Sequence, residues 1–266
     1  ASQLGFEDAA RIAIQSGGRK KPLDTFAAES LQTISGRRSL KDPQTGRRME
    51  AVETLFSMWF RSGEWKDSAS VLISDASLKT AIGLPPTQRL FSFDALAKNA
   101  TLHQIYDRIR SKRQQREDLS SLEQEAERVF SRLDLLSQII TGEALTIVPN
   151  PKSPKAEWLS ISRAADAHGE KAGGELKIML QEVSESFLAA DASRFQSSTR
   201  AFRKRLSQLA PGVYPATAAI EREIHYNALH PFRWAWILYT GAFFVLLNRR
   251  STKAGLGIFG AGLAMQ

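Results

Sequence analysis

The chain has 266 residues, of which 42% are hydrophobic, and a formal net charge of +8. That length suits one large domain or two small ones, and the charge implies an anionic partner such as lipid headgroups, nucleic acid or an acidic ligand. There is no cysteine, which excludes a disulfide framework, a cysteine metal site and a cysteine nucleophile.

The opening ASQLGFEDAA has neither Met nor a signal-peptide pattern, and the chain closes on GIFGAGLAMQ inside an apolar run. Both ends are expected to be cuts in a longer protein. Ile12 and Ile14 alternate with other residues and predict a short strand. Gly17 and Gly18 supply a turn, since glycine tolerates positive φ, and Pro22 biases Lys21 towards extended backbone. Asp24 is the expected N-cap of a helix over 25–35 that Gly36 ends. The stretch thus reads as strand, basic turn and helix. GRRSLKDPQTGRRM (36–49) reads as a basic loop. A helix over 51–61 follows, with Val52, Leu55, Phe56 and Trp59 on one face. VLIS (71–74) predicts a strand, and DASLKTAIGLPP a helical turn stopped by Gly83 and two prolines.

The strongest periodicity lies in 102–140. Leu119, Leu122, Ala126, Val129, Leu133, Leu136 and Ile140 are spaced 3, 4, 3, 4, 3, 4, a heptad seam. Leu102, Ile105 and Ile109 form an earlier seam, and RSKRQQRED between them is polar. This is either one helix of about 39 residues, roughly 58 Å long, or a hairpin that turns near 113–118. Seven seam positions favour packing within the chain over a dimeric rod. ALTIVPNP (144–151) predicts a strand, and SPKAEWLSISRAADAHGEKAGG a loop-rich connection. Two stripes then predict antiparallel helices: Leu176, Met179, Leu180, Val183 and Phe187, then Phe195, Thr199, Phe202, Leu206 and Leu209. The expected fold class is mainly α with a few short strands (α+β), a soluble domain followed by a transmembrane helix.

FRWAWILYTGAFFVLL (232–247) carries one charge, Arg233. Extended back to Leu229 it covers about 19 residues, close to the ~20 that cross a bilayer. Trp234, Trp236 and Tyr239 crowd its beginning, as at a membrane interface, and Arg249, Arg250 and Lys253 follow it. The plainer alternative is a buried core helix; length, aromatic crowding and the cationic stop favour a span. The expectation is an extracytoplasmic helical domain over 1–228, a transmembrane helix over 229–247, a cytoplasmic loop over 248–253 and a truncated second span over 254–266. It places residues 1–230 outside the cytoplasmic membrane, and a basic domain held there meets anionic lipid rather than nucleic acid.

GGRKKP is a candidate anion nest in which backbone N–H groups, Arg19, Lys20 and Lys21 surround a carboxylate or phosphate. The GxxxxGK[ST] spacing is absent, and a solvated basic turn is the plainer reading. Of four histidines, His225 and His230 in REIHYNALHPF are the candidate ligands for haem iron or another metal. Their plainer reading is an interfacial pair with no ligand. An offset of five residues puts them about 140° apart on one helix, and Pro231 favours a helix boundary beside His230. No catalytic residue and no metal site emerges. Glu221 and Glu223 face different ways on a helix, and RAFRKRL (200–206) reads as the polar face of an amphipathic helix.

IAIQSGGRKKPLDTFAAESLQTISGR resembles a segment of bacterial cytochrome c biogenesis proteins of the CcsA/ResC kind that carry an extra soluble domain. Similar segments follow in the same order: VLISDASLKTAIGLP, RLFSFDAL, LTIVPNP with EWLSI, AADASRFQSSTRAFRKRL, and VYPATAAIEREIHYNALHPFRWAWILY leading into the apolar run. The resemblance implies a role in system II cytochrome c maturation, with haem as the cargo of the full-length protein, which forms part of a haem ligase. Apocytochrome c and a ResB-type membrane subunit are the implied partners. The family's WGxxWxWD-like haem-handling motif does not occur in this chain, so no haem ligand is carried over and no cofactor is expected in this part. The implied role is that of an accessory domain without its own catalysis. The alternatives are a periplasmic sensor domain of a signalling protein and a non-catalytic membrane scaffold; further spans or a signalling module after Gln266 distinguish them.

Overall fold

The structure, a computed structural model, describes residues 4–153, 155–229, 231–247 and 252–264. It divides into two compact units, Ala1–Pro215 and Ala216–Gln266, and is mainly helical with a few short strands.

In the first unit, α1 (Glu7–Ala10) leads into β1 (Ala13–Ser16), which pairs antiparallel with β2 (Arg19–Pro22). Gly17 and Gly18 have φ of 60° and 75°, as the tightest hairpin turn requires of both its central residues. The expected strand, basic turn and helix is therefore a β-hairpin followed by a helix, and the cations sit on the second strand rather than in the turn. α2 (Leu23–Ser35) starts directly from that strand, where the Leu23 N–H donates to the Ile12 carbonyl at 2.8 Å. Pro22 is the N-cap residue and makes no side-chain cap bond. This corrects the expected cap: Asp24 lies inside the first turn, where its charge suits the positive end of the helix. Gly36, at φ 71°, closes α2 as expected.

The stretch expected to be a basic loop contains a second small hairpin, β3 (Leu40–Lys41) with β4 (Arg48–Met49). Asp42 builds its turn by accepting the Gln44 and Thr45 amides at 2.9 and 3.1 Å, the local bonding that suits aspartate to turns. α3 (Ala51–Phe60) and α4 (Ser62–Asp67) follow, then β5 (Ala69–Leu72), α5 (Ala76–Ala81), β6 (Leu90–Ser92) and α6 (Phe93–Ala97), with β5 and β6 antiparallel. The 102–140 region is a hairpin, α7 (Ala100–Gln115) and α8 (Ser121–Thr141), reversed at Arg116 with φ 57°. Ala126, Val129, Leu133 and Leu136 are buried, but the seam ends on Ile139 rather than Ile140, because a straight helix drifts from a seven-residue repeat.

The segment 144–151 is not a strand. It makes a single bridge, Val148 to Leu159; Pro149 and Pro151 remove the donors a longer ladder needs. The connection expected to be loop-rich is helical from Ala165. α9 (Ala165–Leu188) bends at Gly169, where φ is 79°, and runs antiparallel to α10 (Ala192–Leu209). Glu175 pairs with Arg205 and Glu182 with Arg194 along that contact. The core gathers Phe6, Phe56, Phe187 and Phe195, with ring centroids 5.1–6.4 Å apart, so edge-to-face contacts join the N-terminal segment, α3, α9 and α10.

The second unit holds α11 (Thr217–Leu229), α12 (Pro231–Leu247) and α13 (Thr252–Ala264). α11 is described up to Leu229 and α12 from Pro231, and residue 230 lies outside the described residues. Among the described residues no helix is long and apolar enough to cross a membrane. The described part of α12 has 17 residues, about 26 Å of helix.

Two consequences are measurable. Gly142 ends α8 at φ 82°, and a Cβ there would lie 2.6 Å from the Trp59 ring nitrogen. Gly142→Ala is expected to lower unfolding free energy by more than about 1 kcal/mol. Gly46→Ala, at φ 68° in open space, is expected to cost less; urea titrations compare the two. Glu123 closes a capping box with Ser120 and accepts from Lys112 Nζ at 2.9 Å. The Lys112 hydrogen bond, then the Ser120 amide and hydroxyl, lower its pKa from 4.5 to about 2. A carboxylate depressed on folding stabilises fully above its unfolded value, so this contribution is expected to fade as pH falls from about 4.5 towards 2. Glu123→Gln is expected to flatten that slope in pH-dependent unfolding.

Candidate functional site

β1 has two edges. Residues 14 and 16 face β2, while the N–H groups of Ala13 and Gln15 point away from it. Ala13 donates to the Tyr214 hydroxyl oxygen at 3.0 Å, and Gln15 to the Thr146 carbonyl at 3.1 Å. The Thr146 hydroxyl donates back to the Gln15 carbonyl. The Gln15 side chain accepts the Trp158 N–H at 2.6 Å. Residues some 130 to 200 positions apart thus close over one strand edge, which leaves its backbone groups satisfied.

On this edge the Trp158 and Tyr214 rings stack, with centroids 5.6 Å apart and planes 23° apart. Lys20 Nζ lies 5.8 Å from the Trp158 ring centroid and donates to the Val213 carbonyl at 2.8 Å, a cation held against an aromatic face. Burial drives the Tyr214 pKa up, against the opposing effects of the Ala13 N–H and the Arg203 charge. The hydroxyl therefore stays protonated through neutral pH.

The three cations of GGRKKP do not converge. Successive strand residues point to opposite faces: Lys20 goes to Trp158 and Val213, while Lys21 is buried and paired with Glu29. Arg19 is exposed beside the turn. The expected nest around an anion is thus not assembled, because a strand distributes what a loop would gather. The burial of Lys21 also corrects the reading of this stretch as a solvated turn.

Of the candidate iron ligands, His225 is exposed on α11 and His230 lies outside the described residues. His103 bonds the Ala97 carbonyl and His168 the Pro149 carbonyl, each at 2.7 Å. Among the described residues no group of three or more His, Asp or Glu could hold a metal ion.

α12 and α13 pack as a hairpin with an inverted character. Among the described side chains of α12, Ala235 and Ala242 are buried and share a face with Tyr239, whose ring meets Phe259 of α13 at 5.3 Å. The large side chains face outward. Trp236 is 67% exposed and Phe244 65%, and Trp234, Phe243, Leu256 and Leu263 are exposed with them.

Trp158 and Tyr214 went unnoticed as partners of the hairpin in the sequence, although both lie in segments that carry the family resemblance. No family model and no curated protein matches the chain.

Tyr214→Phe keeps the stack but removes the acceptor of a buried amide. It is expected to cost about 1–3 kcal/mol, whereas Lys20→Met, which keeps the aliphatic stem, is expected to cost less. Chemical denaturation of the two variants measures the difference.

Proposed function

We propose that this chain is the extracytoplasmic domain and first membrane helices of a system II cytochrome c assembly factor of the CcsA/ResC kind. Its role is accessory: it docks apocytochrome c or packs against a ResB-type subunit, while haem handling belongs to the rest of the protein. The observation that carries this reading is the run of resembling segments, in family order, from Ile12 to Tyr239. Its support in space is that three of these segments meet: IAIQSGGRKKP, LTIVPNP with EWLSI, and VYP close over the edge of β1. Residues 1–228 lie outside the cytoplasmic membrane of a bacterium in this reading.

The membrane part of the proposal rests on the inverted α12–α13 hairpin. Small residues inside and exposed aromatic side chains outside suit a lipid environment, where small residues let helices approach closely. In water, so many exposed large apolar side chains would form an adhesive patch. The 17 described residues of α12 fall within the ~17–25 that span a bilayer, and Arg249, Arg250 and Lys253 follow them in the sequence, as cationic residues do at a cytoplasmic flank.

Deleting the gene for the full-length protein is expected to abolish covalent haem attachment to c-type cytochromes and leave b-type haem proteins intact. Haem-stained gels and difference spectra read both. Unchanged c-type cytochromes would overturn the proposal.

A further inference from the structure

The hairpin β3–β4 carries cations with no internal partner. Lys41 and Arg48 are direct cross-strand neighbours and both are exposed. Such pairs sit about 5 Å apart at Cβ, and like charges there repel. Arg37 and Arg38, also exposed, follow the Gly36 cap within four residues of Lys41, hence within about 14 Å of chain. Two of the nearby carboxylates are committed elsewhere. Asp42 is buried and takes Arg61 at 2.6 Å together with two turn amides, and Glu53 takes Arg47. Glu50 is the one other acid in 36–50. Among the described residues none of Arg37, Arg38, Lys41 and Arg48 forms an ion pair.

On the helical surfaces some cations meet a glutamate, as Lys112, Arg113, Arg194 and Arg205 do at 2.7–2.9 Å. The hairpin is distinguished by placement: Lys41 and Arg48 stand directly opposite each other on a ladder of two residue pairs, with two more exposed arginines close by in the chain.

We propose that Arg37, Arg38, Lys41 and Arg48 form a docking surface for the phosphate headgroups of an anionic membrane. Arginine matches phosphate with a planar fork of donors, and lysine adds a point charge. No large apolar side chain is exposed between 36 and 50, so the anchor that protein interfaces use is missing, as are the aromatic platforms of single-strand nucleic-acid sites. Purely electrostatic attachment to lipid needs neither. The choice of lipid rests on the membrane reading of α12–α13, which tethers the chain to a bilayer.

The test uses the whole 266-residue chain. Because the chain lacks cysteine, Gln44→Cys at the hairpin tip gives a single site for a fluorophore. The labelled protein is reconstituted into phosphatidylcholine vesicles with or without phosphatidylglycerol, each containing a headgroup-labelled quencher lipid. Retention in neutral vesicles after a high-salt wash tests the membrane hairpin alone. Quenching that needs phosphatidylglycerol and is reversed by salt tests the patch; if reconstitution fails, the same quenching is read on preformed vesicles.

Converting Arg37, Arg38, Lys41 and Arg48 to Gln is expected to weaken the salt-reversible quenching at least about tenfold. A control that converts Arg108, Arg110, Lys171 and Lys177 to Gln lowers net charge equally and is expected to keep most of it. Lys41→Glu creates a favourable cross-strand pair with Arg48, so the melting temperature is expected to hold or rise while quenching falls severalfold. That separates docking from a merely structural role. Equal losses in the patch and control variants, unchanged quenching in Lys41→Glu, or protection from quenching only by a single-stranded oligonucleotide would overturn the proposal.

Discussion

The outward edge of β1 is the constraint around which the first unit closes. A two-stranded hairpin is marginal in water, and its free edge leaves Ala13 and Gln15 needing acceptors in a buried setting. They find them in Tyr214 and Thr146, at the far end and the middle of the same unit. α2 grows directly out of the hairpin, its first N–H bound to Ile12. The core helix α3 packs beside α2, and the Phe6–Phe56–Phe195 contacts bring in α10. Displacing Tyr214 would therefore expose more than one hydroxyl: it would open the edge and uncover the face of Trp158.

What was legible in the sequence was whatever a single element carries within itself. The 3–4 spacing of Ala126, Val129, Leu133 and Leu136 marks α8 because an amphipathic helix repeats its buried face several times. Gly17, Gly18 and Gly36 were legible because positive φ is a property of the residue itself. The β3–β4 pair was not: two residues per strand show no alternation, and the basic residues around it imitate a loop. Asp24 was misplaced as a cap because β2 runs straight into α2 and leaves Pro22 at the cap position. The fates of Lys20 and Lys21 were not legible either, since they depend on Trp158 and Glu29, which no local pattern connects to them.

The two units obey opposite burial rules. In the first, Trp65 and Phe56 are almost fully enclosed and Trp65 satisfies its ring N–H on Ser57 at 2.9 Å, as a water-facing domain requires. In the second, alanines are enclosed and tryptophans are not. Apolar content alone does not separate these cases, because both units contain apolar helices. The placement of large and small residues does: the first unit hides its largest apolar groups, and the α12–α13 hairpin hides alanines and exposes its large ones.

Charge follows a division of the same kind. Exposed ion pairs contribute little to stability, about 0–1 kcal/mol each, so the pairing of Arg194 with Glu182 and Arg205 with Glu175 matters mostly as neutralisation. It leaves α9 and α10 joined by a polar seam with little net field. Asp42 shows the converse in the hairpin. Burial works to raise its pKa, but the Arg61 bond and the Thr45 and Gln44 amides prevail and hold it below the usual carboxylate range. Its charge is consumed inward, in building the turn, and cannot screen Lys41 next to it. A glutamate in place of Lys41 or Arg48 would turn repulsion into attraction, a change of a few tenths to about 1 kcal/mol. A domain arranged for its own stability alone would gain from that exchange, so the like-charged pair on so short a ladder points to a requirement that lies outside the fold.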